Sequence, residues 1–380
     1  MNKSWFVCLG LLVGPIACGA STTPGEVGAD ARSEVGVDAN GDEALDAQPI
    51  DVAPLDVRPE VGADIVDVPR DMPPDTGRSL TFVLDELVVE ASDGLDLPHT
   101  GFNLDGLFSG PTDADGCNHD DFFSLYDRDQ HRPARCTRGT AGCVAGVDNQ
   151  LPTVFNTIES VSGMSPRAVI AGEVANNRLV VLVHVTSVED LVDDPDIRVR
   201  VFIGFPTFST GCTSVQPDRE YVVDRRSLIA GGTTLGDAIV DVRGRIVSGR
   251  LQFAAGAGDV FRLPIPLGAG LSTAVGLRAL HMRFDVTDIR GTHGNLGGWA
   301  TGQDLVDAIV MLAPMYRAAV EGILGSLVDI QDGGICVARS GSRARYGGVS
   351  MGMEFTALPV RIREMDPIVD APPPGTCGAM

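Results

Sequence analysis

The chain has 380 residues, 44% of them hydrophobic and 5% aromatic, with a formal net charge of −22 at pH 7. That length allows one large domain or two ordinary ones, and the acidic balance excludes DNA and RNA as partners, which need a basic footprint to neutralise phosphates. Lysine occurs once, at Lys3, which removes P-loop, Schiff-base and Ser-x-x-Lys chemistry.

The first stretch with a defined job runs from Lys3 to Ser21. A positive start, an apolar run from Trp5 to Ile16 and the small residues Ala17-Cys18-Gly19-Ala20 satisfy the requirements of a secretory signal. The run is shorter than the roughly 18–20 apolar residues needed to span a bilayer. Pro15-Ile16-Ala17-Cys18 resembles the lipobox of bacterial lipoproteins, with Pro15 standing where Leu or Val is usual. The resemblance implies a signal peptide over residues 1–17, a lipid on Cys18, and, with Gly19 rather than Asp following, the outer membrane as destination. The alternative is ordinary cleavage after Ala20 and release of a soluble protein.

Residues 18–78 read as a disordered linker. From Ser21 to Arg78 there is no aromatic residue, and 14 Asp and Glu stand against 4 Arg. Proline, like charges and few apolar anchors prevent a packed core there and extend the segment into a stalk. Imperfect repeats such as Pro49-Ile50-Asp51-Val52-Ala53-Pro54 and Asp64-Ile65-Val66-Asp67-Val68-Pro69 set its style. An Asp/Val/Pro tract behind a lipobox resembles the uncharacterised exported lipoproteins of myxobacteria-like Gram-negative bacteria. The resemblance covers residues 1 to about 78 and implies no activity.

Residues 79–380 are expected to form one β-rich globular domain. Leu280, Met282, Phe284 and Val286 alternate with polar residues, as do Ile197, Val199, Val201 and Ile203; a period of two gives a strand one apolar face. Leu179 to Val185 is apolar on both faces, which marks a central strand. Pro264 and Pro266 place the strand from Phe261 to Leu267 at an edge, and Ser248-Gly249 marks a hairpin turn. Two helices are expected. One follows Asp148-Asn149-Gln150 and ends at Gly163. The other runs from Gln303 to about Leu327, opened by Thr301-x-x-Asp304 and kinked at Pro314. The fold class is therefore mainly β (α+β): an antiparallel β-sandwich or sheet with two packed helices behind the linker.

Six cysteines follow the lipid candidate: Cys117, Cys136, Cys143, Cys212, Cys336 and Cys377. An even number in an exported chain reads as disulfides. Asn103, Asp105, Asp148 and Asn149 flank the cysteine-rich stretch at glycine-bounded turns and offer the hard oxygens that calcium takes. Simple helix capping and an Asx turn explain the same residues. Cys117, His119, His131, Cys136 and Cys143 are zinc-type donors without a recognisable finger spacing.

Gly348-Val349-Ser350-Met351-Gly352 matches G-x-S-x-G. A nucleophile elbow needs a strand before the serine and a helix after it; here a Gly-rich run precedes and a strand follows, so Ser350 reads as a strand-entry serine. His184 reads as a hydrogen-bonded core histidine. His281, Arg283 and Asp285 share one strand face, which suits a cleft wall or a solvated surface. Asp329-Ile330-Gln331-Asp332-Gly333-Gly334 reads as the exit turn of the second helix. The function expected is an exported, lipid-anchored cell-envelope protein presenting a β-rich binding or structural domain on a stalk. Its partners are the membrane, through the lipid, and an envelope or extracellular ligand. A secreted hydrolase or metal-dependent enzyme with a dispersed site, and a lipid carrier with a large apolar cavity, are the alternatives.

Overall fold

The structure is a computed structural model that describes residues 77–370, apart from 91–99, 103, 105–121, 128–131, 136–143, 164, 208–213, 269–270, 287–291, 313–316, 318–320, 323, 325–326 and 331–347. The expected signal peptide and nearly all of the expected linker lie outside the described residues.

In chain order the strands are β1 (Arg78–Val88), β2 (Phe122–Asp127), β3 (Arg132–Arg135), β4 (Val144–Val147), β5 (Val181–Val188), β6 (Asp194–Pro206), β7 (Glu220–Asp224), β8 (Val240–Val247), β9 (Arg250–Ala254), β10 (Phe261–Gly268), β11 (Leu271–Asp285), β12 (Thr292–Thr301), β13 (Gly348–Pro359), β14 (Arg361–Ile362) and β15 (Ile368–Val369). The helices are α1 (Leu151–Ser162), α2 (Pro166–Ala175) and α3 (Gly302–Leu312).

Eight of these strands close on themselves. The antiparallel ladder runs β1-β5-β6-β8-β9-β11-β12-β13 and returns from β13 to β1. The order round the barrel is the order in the chain, an up-and-down barrel with excursions. The sheet β3-β2-β4, α1 and α2 lie between β1 and β5; β7 lies between β6 and β8; β10 between β9 and β11; α3 between β12 and β13. The β-rich class is as expected, but the sandwich is not. One-sided alternation looks the same in both architectures, and what separates them is the pairing of the first strand with β13, between residues such as Phe82 and Pro359.

The interior is filled, as in other small barrels. Phe82, Val183, Val199, Ile246, Leu251, Phe284, Leu296 and Phe355, one from each strand, belong to a single buried cluster. Phe284 packs edge-on to Phe82 at 5.2 Å and to Phe355 at 5.6 Å between ring centroids. Gly294 makes room for them: a Cβ there would run into Phe284 Cβ and the Phe355 ring. Residues of α1, α2 and α3, among them Phe155, Ile170 and Leu305, join the same cluster.

A second cluster, with Val83, Leu182, Phe202, Tyr221 and Val223, lies on the other face of β1, β5 and β6. It explains why Leu179–Val185 is apolar on both sides. Val181, Val183 and Val185 fill the barrel, while Val180 and Leu182 meet the second cluster. Here β14 and β15 pair with β7 in parallel, a departure from the all-antiparallel expectation.

Local signals behave as chemistry requires. Ser248 and Gly249 both have positive φ, 52° and 78°, which gives the β8–β9 hairpin a type I′ turn. β10 pairs only with β11 among the described residues, and its two prolines withhold N–H donors from the ladder. β11 serves two partners, β10 along Leu271–Leu277 and β9 along His281–Asp285, and it bends between them at a bulge where Ala279 has φ 46°. Helix α1 ends at Gly163, φ 68°, whose N–H donates to the Glu159 carbonyl. Helix α2 was not expected. The long second helix is described from Gly302 to Leu312, and Arg317, Glu321 and Leu324 are again helical; the expected kink at Pro314 lies outside the described residues. At its start the Asp304 N–H donates to Thr301 Oγ1 at 3.0 Å.

Candidate functional site

A bulge in β1 builds a hollow beside β13. The β1–β13 register shifts between Leu84 and Glu86. Before the bulge Phe82 and Leu84 point into the barrel; after it Leu87 and Val89 do, and Glu86 and Val88 turn outward. Bulges re-aim side chains in this way, and they are over-represented beside binding sites. Glu354 and Thr356 of β13 and His293 of β12 face the same way and, with Glu86 and Val88, form a cleft of about 470 Å³ that Gly294 and Phe355 also line. Its side chains form cross-strand rows: Glu86 faces Thr356, which faces His293, and Val88 faces Glu354, which faces Asn295.

The walls of the cleft are braced. Thr356 Oγ1 donates to Asp85 Oδ1 at 2.8 Å. Thr100 Oγ1 donates to Glu354 Oε1 at 2.9 Å, and the Thr100 N–H reaches Glu90 Oε2 at 3.3 Å. The carboxylate of Glu354 is thus held in one orientation by a segment that lies far from it in sequence.

That segment is one of two legs seated on the outer face of β13. Phe102 and Asp148 pair as an isolated antiparallel bridge, so the two turns flanking the cysteine-rich stretch do meet at its base. Asn149 fastens the legs. Its Nδ2 donates to the carbonyls of Thr100 (2.6 Å) and Gly352 (3.1 Å), and its Oδ1 accepts from the N–H groups of Gly352 (2.9 Å) and Leu151 (3.2 Å). Asp148 Oδ2 accepts from the Leu104 N–H at 2.8 Å. Of the four expected calcium ligands, then, Asp148 and Asn149 are placed and engaged by backbone groups, and Asn103 and Asp105 lie outside the described residues. Helix α1 takes Gln150 as its N-cap without a side-chain cap bond; the cap-like bond comes from Asn149.

Ser350 is fully buried within β13. Its N–H donates to Asp329 Oδ1 at 2.8 Å, its hydroxyl donates to Asp329 Oδ2, and its Oγ accepts from the Gln150 N–H at 3.0 Å. A strand, not a helix, follows it, so the G-x-S-x-G match is no nucleophile elbow. Of the expected exit turn only Asp329 and Ile330 are among the described residues, and the pairing of Asp329 with Ser350 was legible in neither motif.

The histidines separate by environment. His184 Nδ1 and Thr81 Oγ1 are hydrogen-bonded at 2.9 Å. His281 lies edge-on to the Phe102 ring at 5.2 Å, and the Arg283 guanidinium sits over the same ring at 5.6 Å. Asp285 is 3.5 Å from Arg250. His281, Arg283 and Asp285 are each partly buried, and Phe102 packs against the first two. Gly297 permits this: a Cβ there would strike the Phe102 ring.

Burial, with Arg283 adding to it, pushes the pKa of His281 down from 6.5 to about 4. The unfolded chain takes up a proton below pH 6.5 while the folded chain keeps this imidazole neutral. Stability is therefore whole above about pH 6.5 and falls as pH drops towards 4, by about 3 kcal/mol at the acid end. Urea unfolding across that window is expected to show a shallower acid loss for His281→Gln than for the parent. Equal slopes would remove His281 as the cause.

Cys117, His119, His131, Cys136, Cys143, Cys212, Cys336 and Cys377 all fall outside the described residues, as does Cys18. Among the described residues no group of three or more His, Cys, Asp or Glu is gathered as a metal site, and no helix is long and apolar enough to cross a membrane. The cleft itself escaped sequence reading; a cue was present only in Asp85-Glu86, two acids that interrupt the apolar alternation of β1. Comparison with protein-family models, with curated proteins and with solved structures finds no match.

Proposed function

We propose that this chain is an exported, lipid-anchored protein of the cell envelope, held by Cys18 and presenting its barrel on an acidic stalk as a binding domain. The observation that carries the binding role is the cleft built by the β1 bulge: a hollow of about 470 Å³ outside a barrel whose interior is occupied by side chains. A small barrel with a filled interior has its outer faces and loops left for recognition. The export and anchoring part rests on the apolar run from Trp5 to Ile16 and on Ala17-Cys18. A stalk that repels itself holds such a domain clear of the lipid surface.

Membrane fractionation tests this reading. The parent is expected in the outer-membrane fraction and to incorporate labelled fatty acid, and Cys18→Ala is expected to lose both. A variant that partitions like the parent would sink the anchor.

A further inference from the structure

We propose that Arg278, laid across Trp299 on the outer face of β11 and β12, binds a carboxylate group. This site is separate from the cleft beside β1 and independent of the anchored-display reading.

The first observation is how the pair is built. Leu277 and Leu280 both belong to the buried core cluster, so two residues, Arg278 and Ala279, stand between successive inward positions of β11. The register with β12 shifts here, and Ala279 takes φ 46°, a left-handed conformation that alanine rarely adopts. Backbone strain of this kind persists only where the surrounding structure imposes it, and it concentrates at functional sites. The bulge sets Arg278 opposite Trp299, with its guanidinium carbon 5.5 Å from the ring centroid. Trp299 is a fixed platform. Its neighbour Ala300 belongs to the core cluster, so the indole faces outward, yet it is only 9% exposed. A Cβ on Gly348, where β13 begins, would strike the ring, so the indole is seated against that strand.

The second observation is chemical. The Arg278 Nε is buried and has no hydrogen-bond partner. Arg167, Arg198, Arg200, Arg219, Arg250 and Arg363 are also wholly or partly buried, and each has a hydrogen bond or an ion pair. Arg278 has neither among the described residues; its one contact of that kind is the indole. Scarcity of acids does not explain this, since Asp and Glu number 51 against 29 Lys and Arg. A guanidinium that has lost water from its stacked face and meets no acid keeps its donors for a ligand. Stacking also fixes its plane, which presents the N–H fork in one orientation.

The third observation limits the charge of the ligand. Asp304, in the first turn of α3, stands on the same face of β11 without an ion pair to Arg278 among the described residues. Its Oδ2 would lie 3.4 Å from a Cβ on Gly276. Gly276 is two residues from Arg278 along the strand, roughly 7 Å. A carboxylate at that range repels a dianion such as phosphate more than a single charge. A planar carboxylate carries one charge, and its two oxygens match the guanidinium fork.

The carboxylate has two natural sources, a small organic acid or the end of a peptide. Trp5 and Trp299 are the two tryptophans of the chain, so full-length Trp5→Phe protein reports on Trp299 alone. Its fluorescence is followed during titration with acetate and, separately, with Nα-acetyl-alanyl-alanine, with chloride holding the ionic strength constant. A saturable change with acetate assigns a small acid; a change with the peptide alone assigns a chain terminus. Arg278→Lys keeps the charge but loses the fork and is expected to weaken binding roughly tenfold by calorimetry. Asp304→Asn leaves the stacked pair untouched and is expected to tighten binding and to narrow the preference over phosphate, so the test holds even if Arg278→Lys is unstable. Absence of a saturable change with either acid overturns the site. So does undiminished binding by an Arg278→Lys protein that melts like the parent, or phosphate that binds tighter than either acid. None of these results touches the Cys18→Ala fractionation, which tests the anchored-display reading alone.

Discussion

Asn149→Ala is expected to cost about 4 kcal/mol of folding stability, with unchanged secondary structure at low denaturant. Asn149 is 2% exposed, and its amide makes four hydrogen bonds, all to backbone groups. Alanine leaves two carbonyls and two N–H groups buried without partners. Water cannot easily replace them. The fit is tight enough that a Cβ on Gly352 would meet the Thr100 carbonyl oxygen, and Asn149 itself. Aspartate is no rescue, since a carboxylate accepts from the two N–H groups but faces two carbonyl oxygens where Nδ2 had donated. Urea unfolding of the parent, Asn149→Ala and Asn149→Asp measures this directly. A loss under about 1 kcal/mol would mean that the legs at Thr100–Phe102 and Asp148–Gln150 are not what holds the insertion to the barrel. The same series run with calcium and with EGTA addresses the metal reading. The bracket predicts equal losses in both, because its bonds involve no ion; a loss that appears only with calcium would place an ion at the base of the insertion.

How much of this was visible in the sequence depends on distance along the chain. The alternation of Leu280, Met282 and Phe284 is a local record of one buried face, kept in β11 and continued by the buried Val286 just beyond it. The turn at Ser248-Gly249, the edge strand marked by Pro264 and Pro266, and the helix stop at Gly163 are equally local. Helix α2 is the local failure. Its ten residues include three Ala and one Gly and offer only Ile170 and Val174 as buried anchors, so its apolar stripe is faint. The Ser165-Pro166 pair, an N-cap followed by proline at the first helical position, was the cue.

Barrel closure and the cleft are failures of another kind. Closure needs β1 to find β13, and the cleft needs Glu86 and Val88 to share a face with Glu354 and Thr356. That sharing depends on one extra residue at Asp85. Without the bulge, strict alternation would turn Glu86 into the barrel. Residue type announces neither event. Asn149 illustrates the same limit from the other side: its position before a helix suggested a cap or a ligand, and the structure uses it as a bracket between segments about two hundred residues apart.

Phe284→Ala is expected to cost about 4 kcal/mol, and it decides between a filled barrel and a carrier. The Phe284 ring is fully buried, lies between Phe82 and Phe355 in edge-on contact with each, and faces a glycine at position 294 that leaves it room. Truncation removes both aromatic contacts and leaves a void in the middle of the barrel, whose walls are hydrogen-bonded all the way round and so collapse little. The cavity would be apolar and dry, sized for a benzene-like probe. The variant is therefore expected to unfold at lower urea with the parent's m-value and to gain stability when a small aromatic is added, while the parent gains none. A lipid carrier behaves differently. Its interior already holds open apolar space, so losing one ring costs little and the parent itself is stabilised by apolar ligands. A loss near 1 kcal/mol together with a parent that responds to the probe would return the lipid-carrier reading to the barrel and take recognition away from its outer face.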